Sequence, residues 1–125
     1  MEQPKTYVFT TVEGYKDYLY DVIDNKTVQQ IYEGFTFAGE TFSMGISAQI
    51  NWTNLFFIPD GLYPLSISTK NEDVYELTLA NRESFYGAAL TVKKTALNNG
   101  STLKSQVKEC TTLQQLIDLA ATINT

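Results

Sequence analysis

Histidine is absent from the 125 residues, which removes every Ser–His or Cys–His couple and every His-ligated metal site from this chain. Cysteine occurs once, at Cys110, so no internal disulfide can form, a usage that fits folding in a reducing cytoplasm. Arginine also occurs once, at Arg82, and Lys93-Lys94 is the only basic pair. Fourteen acidic against nine basic side chains leave a net charge of −5. Phosphate binding needs clustered cations that release counterions, so no nucleic-acid partner is expected. No apolar run approaches the roughly 18 residues of a membrane-spanning helix, and no membrane partner is expected. The opening Met1-Glu2-Gln3-Pro4-Lys5 has no apolar core, so no secretory leader is expected. The sequons at Asn25, Asn51 and Asn99 then read as chance matches.

Apolar material is plentiful by contrast. Hydrophobic residues make up 43% and aromatic residues 13% of the chain, enough for a packed core. The length suits one domain, with or without a short arm. The most strongly specified stretch is Gly34–Trp52. Phe35 and Phe37 alternate with Thr36 as in a half-buried strand, Ala38-Gly39-Glu40 supplies a turn with Gly39 at positive φ, and Phe42 and Met44 return. Ser47 is the expected cap of a helix that carries Ile50, Trp52 and Leu55.

Before that stretch, residues 6–12 alternate as a short strand, punctuated by Gly14. Residues 18–23 and 28–32 read as two further strands around an Asp24-Asn25-Lys26-Thr27 turn. A helix over 15–23 is the rival, because Tyr15, Tyr18, Leu19 and Val22 also fit a helical spacing. The strand is preferred because Tyr and Val favour a pleated surface. After the helix, Pro59 stops the chain's helical course and Asp60-Gly61 turns it. Residues 64–68 and 74–77 form a second hairpin about Asn71-Glu72-Asp73. From about Leu79 the period becomes helical: Phe85, Ala89, Val92 and Ala96 form one stripe, with Thr78 or Asn81 as cap and Asn98-Asn99-Gly100 as stop. A short helix with Leu103 and Val107 follows. Thr112 to Gln115 then matches a capping box that opens a last helix with Leu113, Leu116, Ile117 and Ala120 inward. The tail, 122–125, is expected to fray.

Strands first and helices last give an α+β fold: a small antiparallel β-meander with hairpins followed by a C-terminal helical segment. Its expected division is a β-rich N-terminal arm over 1–33 and a compact α+β domain over 34–125.

The order of Gly34-Phe35, Gly39, Phe42-Ser43, Gln49 and Asn51-Trp52 resembles an uncharacterised domain of tailed bacteriophages, described as tail- or tail-fibre-associated. The closing Leu103-Lys104-Ser105-Gln106-Val107 and the Thr112-capped leucine helix continue the likeness, with Val107 where the family has isoleucine. The match covers about 34–125. It implies a structural role in a virion made in the host cytoplasm, with other virion proteins as partners and symmetric copies of the chain. The family has no established catalytic or ligand residues, so none is carried over.

The residues offer little chemistry of their own. Glu72-Asp73 and Asp21/Asp24 lie at expected turns, whereas acid–base catalysis needs a carboxyl group in a cleft. Asp21–Asn25 lacks the ligand density of a calcium loop. Cys110 reads as a small buried side chain, and Trp52 as core rather than as a sugar-stacking platform. The expectation is a non-enzymatic protein with no catalytic residue, metal or cofactor, attached to tail, fibre or portal-proximal region. A host-glycan-binding module or a fibre chaperone is the alternative. Aromatic residues exceed what so small a core needs, which marks a partner surface. The candidates are Tyr7, Phe9, Tyr15, Tyr18, Tyr20 and Tyr32.

Overall fold

The computed structural model describes residues 6–123. The leader reading of residues 1–5 and the end of the tail, 124–125, lie outside them. The elements run α1 (Val12–Tyr32), β1 (Phe35–Phe37), β2 (Glu40–Phe42), α2 (Ile46–Thr53), β3 (Leu65–Ser68), β4 (Val74–Leu77), α3 (Arg82–Glu109) and α4 (Leu113–Ile123). Short 3-10 turns occupy Asn54–Phe57, Asp60–Leu62 and Leu79–Asn81. The class is α+β. Both expected hairpins are present, each its own two-stranded antiparallel sheet, β1 with β2 and β3 with β4.

The chain divides into two compact units, Val28–Ala96 and the two flanking stretches, up to Thr27 and from Leu97 onward. The flanking unit is helical. Its core holds Leu19, Ile23, Val107, Leu116, Ala120 and Ile123, with Tyr15, Tyr18, Tyr20 and Val22 packed against it. The middle unit contains both hairpins and an aromatic core: Phe35, Phe42, Trp52 and Phe85, with Leu55, Leu77, Ala89 and Ala96. Phe85 sits 5.0 Å from the Phe42 ring and 5.0 Å from the Trp52 ring, each edge to face.

The N-terminal strands are corrected to one helix. Val12–Tyr32 is α1, so residues 6–33 are not a β-rich arm. Thr11 caps α1: its Oγ1 accepts from the Gly14 N–H at 3.1 Å. Leu19 and Ile23, one turn apart, carry the buried face. The residues that read as a turn are satisfied by the opposing helices of the same unit. Asp24 pairs with Lys104, and the Lys26 ammonium donates to the Ile123 carbonyl. Thr27 donates to the Ile23 carbonyl at 2.9 Å. A sequence window sees the turn formers but not these partners, and tertiary contact overrides local preference.

Gly100 does not stop a helix either; α3 runs unbroken to Glu109. A Cβ on Gly100 would meet Thr27 Oγ1 at 2.5 Å, so this glycine lets α1 and α3 approach closely. In α2 the residue before the helix is Gly45, with no side-chain cap; Ser47 lies inside, and Ile50 faces solvent while Trp52 and Leu55 are buried. Positions 50 and 52 lie on opposite sides of a helix, so Ala48, Trp52 and Leu55 form the inward row. Ile117 is likewise exposed, and Ile123 takes the inward place at the end of α4, where frayed chain was expected. Elsewhere the expected devices are present. Thr78 Oγ1 accepts from the Asn81 N–H, and Thr112 and Gln115 bond reciprocally at the start of α4.

Candidate functional site

Two surfaces present unspent binding capacity. The first is the aromatic group chosen from sequence. Tyr7 and Phe9 precede α1, and Tyr15 and Tyr18 lie on its first turns, which brings the four rings together. Phe9 is 5.0 Å from Tyr18 and 5.7 Å from Tyr15, and Tyr7 is 5.4 Å from Tyr18, all edge to face. The Tyr7 hydroxyl donates to Asp21. The cluster is therefore half structural: Tyr15 and Tyr18 lean on the core of the helical unit, while Phe9 remains 49% exposed. Tyr20 packs against the same core on another side of α1 and joins none of the ring pairs. Tyr32 is exposed at the end of α1 and belongs to the middle unit.

The second surface was missed by sequence reasoning. In the middle unit an open groove of about 580 Å³ lies between β3 and α2. One bank is the row Ser47, Asn51 and Asn54, at helical spacing, above Ala48, Trp52 and Leu55. The other is all four residues of β3, Leu65 to Ser68. Alternate strand residues point to opposite faces, so a groove touched by four in succession follows the strand's edge rather than one face. The α2 bank is fixed from within. Trp52 Nε1 donates to the Ser43 carbonyl at 2.9 Å, and Gln49 Nε2 to the Met44 carbonyl at 2.8 Å. Beyond Ser68, the Lys70 N–H donates to the Thr41 carbonyl at 2.8 Å. The Ser-x-x-x-Asn-x-x-Asn spacing was readable in the sequence, but the strand edge opposite it was not.

Apolar side chains stand out elsewhere on the middle unit. Phe57 is 81% exposed and Leu62 64%. Arg82 lies 4.7 Å over the Phe56 ring and pairs with Asp60 at 3.4 Å. Cys110 is half-buried rather than buried, its thiol against the Gln106 carbonyl. Among the described residues no three His, Cys, Asp or Glu side chains gather as a metal site, and no helix is long and apolar enough to cross a membrane. Comparison with protein-family models, with curated proteins and with solved structures finds no match to this chain.

Proposed function

We propose that the chain is a non-enzymatic structural protein of a tailed-phage virion. It is held to the tail, a tail fibre or the portal-proximal region by contacts with other virion proteins, in several symmetric copies. The observation that carries the protein-binding part is the apolar surface left in water: Phe9 on the helical unit and Ile46, Phe57 and Leu62 on the middle unit. Side chains of this kind are covered in assemblies, where aromatic anchors carry much of the binding energy. The virion part is supported by the likeness of 34–125 to the phage tail-associated family. A glycan platform built on Trp52 finds no support, because that ring is buried and its N–H is taken by Ser43.

Quantitative mass spectrometry of purified particles tests the reading. A fixed copy number of three, six, twelve or a larger symmetric set is expected. Abundance in infected lysate with absence from particles overturns it in favour of an assembly factor. Within particles, Phe57→Asp, at a side chain 81% exposed, is expected to lower incorporation at least tenfold with the urea midpoint unchanged; normal incorporation removes Phe57 from the interface.

A further inference from the structure

We propose that the free edge of β3 is a strand-addition site that takes an extended, uncharged peptide segment of a partner protein. The site differs from the exposed aromatic surface and stands whether or not the partner is a virion protein.

The ladder identifies the free groups. Thr69 N–H donates to the Asp73 carbonyl at 2.8 Å, and the register continues Ile67 opposite Tyr75 and Leu65 opposite Leu77. Hydrogen-bonded and non-bonded pairs alternate along an antiparallel ladder. Thr69, Ile67 and Leu65 are therefore bonded to the β4 side, and Ser66 and Ser68 turn their N–H and C=O groups to the open edge. None of these four groups has a protein partner among the described residues. Two donors and two acceptors in that alternation match an extended backbone and no compact ligand.

The surroundings define the occupant further. On the facing side the Ser43 carbonyl already accepts from Trp52, and the α2 bank offers side chains rather than a strand edge, so the incoming strand pairs with β3. Side chains on one of its faces meet Ala48, Leu55, Ile58 and Ile67; those on the other meet the hydroxyl and amide groups of Ser47, Asn51 and Asn54. No charged residue lines the groove, although 18% of the chain is charged. A charged side chain seated there loses water and finds no counter-charge, which selects an uncharged segment. Four residues of β3 span roughly 13 Å at about 3.3 Å each, and the volume suits a ligand of that length. The next outward N–H along the same edge, that of Lys70, is already taken by the Thr41 carbonyl, so the free edge ends at Ser68.

The test uses the full chain, isotope-labelled for NMR, and the capped peptide acetyl-Thr-Val-Thr-Val-Thr-amide. Saturable shifts confined to residues 43–58 and 65–68 are expected, with amide exchange at Ser66 and Ser68 slowed at least tenfold and that of Ile67 unchanged. The fully N-methylated peptide, and the same peptide with glutamate for threonine, are expected to bind at least tenfold more weakly. Ser66→Pro removes one outward N–H and is tolerated on a free edge, so it too loses binding with its unfolding midpoint kept. Were it to unfold, the N-methylated peptide decides alone. No saturable change at millimolar peptide overturns the proposal, as does equal binding of the N-methylated peptide. Equal binding of the glutamate peptide overturns the uncharged selection. Slow Ser66 and Ser68 exchange without peptide, rising with protein concentration, assigns the edge to a second copy of the chain instead. Particle incorporation of Ser66→Pro is read separately from all of these, so failure here leaves the virion reading intact.

Discussion

At Ala38 the backbone takes φ 54°, and at Gly39 φ 79°. Two positive angles in a two-residue loop make the turn whose twist matches a hairpin. Glycine advertises its position in the sequence; alanine does not, because the cross-strand pairs Phe35–Phe42 and Phe37–Glu40 impose the angle on it. An L-residue in this region costs about 1–2 kcal/mol, which asparagine lowers by local hydrogen bonding. Ala38→Asn is therefore expected to stabilise by about 0.5–1 kcal/mol, read from the urea midpoint. Glu72, at φ 65° in the second hairpin turn, is equally silent in sequence. Gly100 speaks misleadingly: beside two asparagines it reads as a helix stop, yet it serves the contact with Thr27. Gly100→Ala gains about 1 kcal/mol of helix propensity but loses about 1–3 kcal/mol to overpacking. Net destabilisation is expected in the parent. With Thr27→Ala already present, the sign reverses and Gly100→Ala stabilises. Equal effects in the two backgrounds would refute the contact.

Among the elements, legibility followed how local the cause was. The Thr78 cap and the Thr112–Gln115 box rest on neighbours three residues apart and the hairpins on pairs no more than 12 apart, and all were readable. Gln115→Ala is expected to cost about 1 kcal/mol, since its side chain serves the Thr111 and Thr112 N–H groups. The first half of α1 was readable only as the rival helix over 15–23, and its continuation was not, because its turn-forming middle is held by Lys104, Ile123 and Gly100, more than 70 residues away. A synthetic peptide of residues 10–33 is accordingly expected to show little helix by circular dichroism in water. A strongly helical peptide would mean that the cause is local after all. The groove was half legible for the same reason: its α2 bank is one sequence stripe, and its β3 bank arrives from 15 or so residues downstream through two turns.

For the whole molecule, the two cores differ in how far apart in sequence their residues lie. The middle unit draws on residues 28–96, whereas the helical unit must bring α1 to α4 across most of the chain. Loop closure of that length slows assembly, so the middle unit is expected to gain amide protection first in pulse-labelled refolding. Trp52 is the only tryptophan and lies in the middle core, so its emission reports that unit alone. A chain ending at Thr111 loses Leu116, Ala120 and Ile123 from the helical core. It is expected to keep buried-type Trp52 emission while losing helical signal; exposed-type emission would show that the middle unit depends on α4.

The Thr27–Gly100 contact has one more consequence. The chain leaves the helical unit at Thr27 and rejoins it at Leu97, one helical turn of about 5 Å before the glycine that Thr27 touches. Departure and return points are thus near neighbours, the arrangement of a guest inserted into a host. The hairpin-bearing segment is in this sense a cassette. Because α1 and α3 each cross the boundary, a replacement segment has to supply the end of one helix and the start of another, and is otherwise free in length.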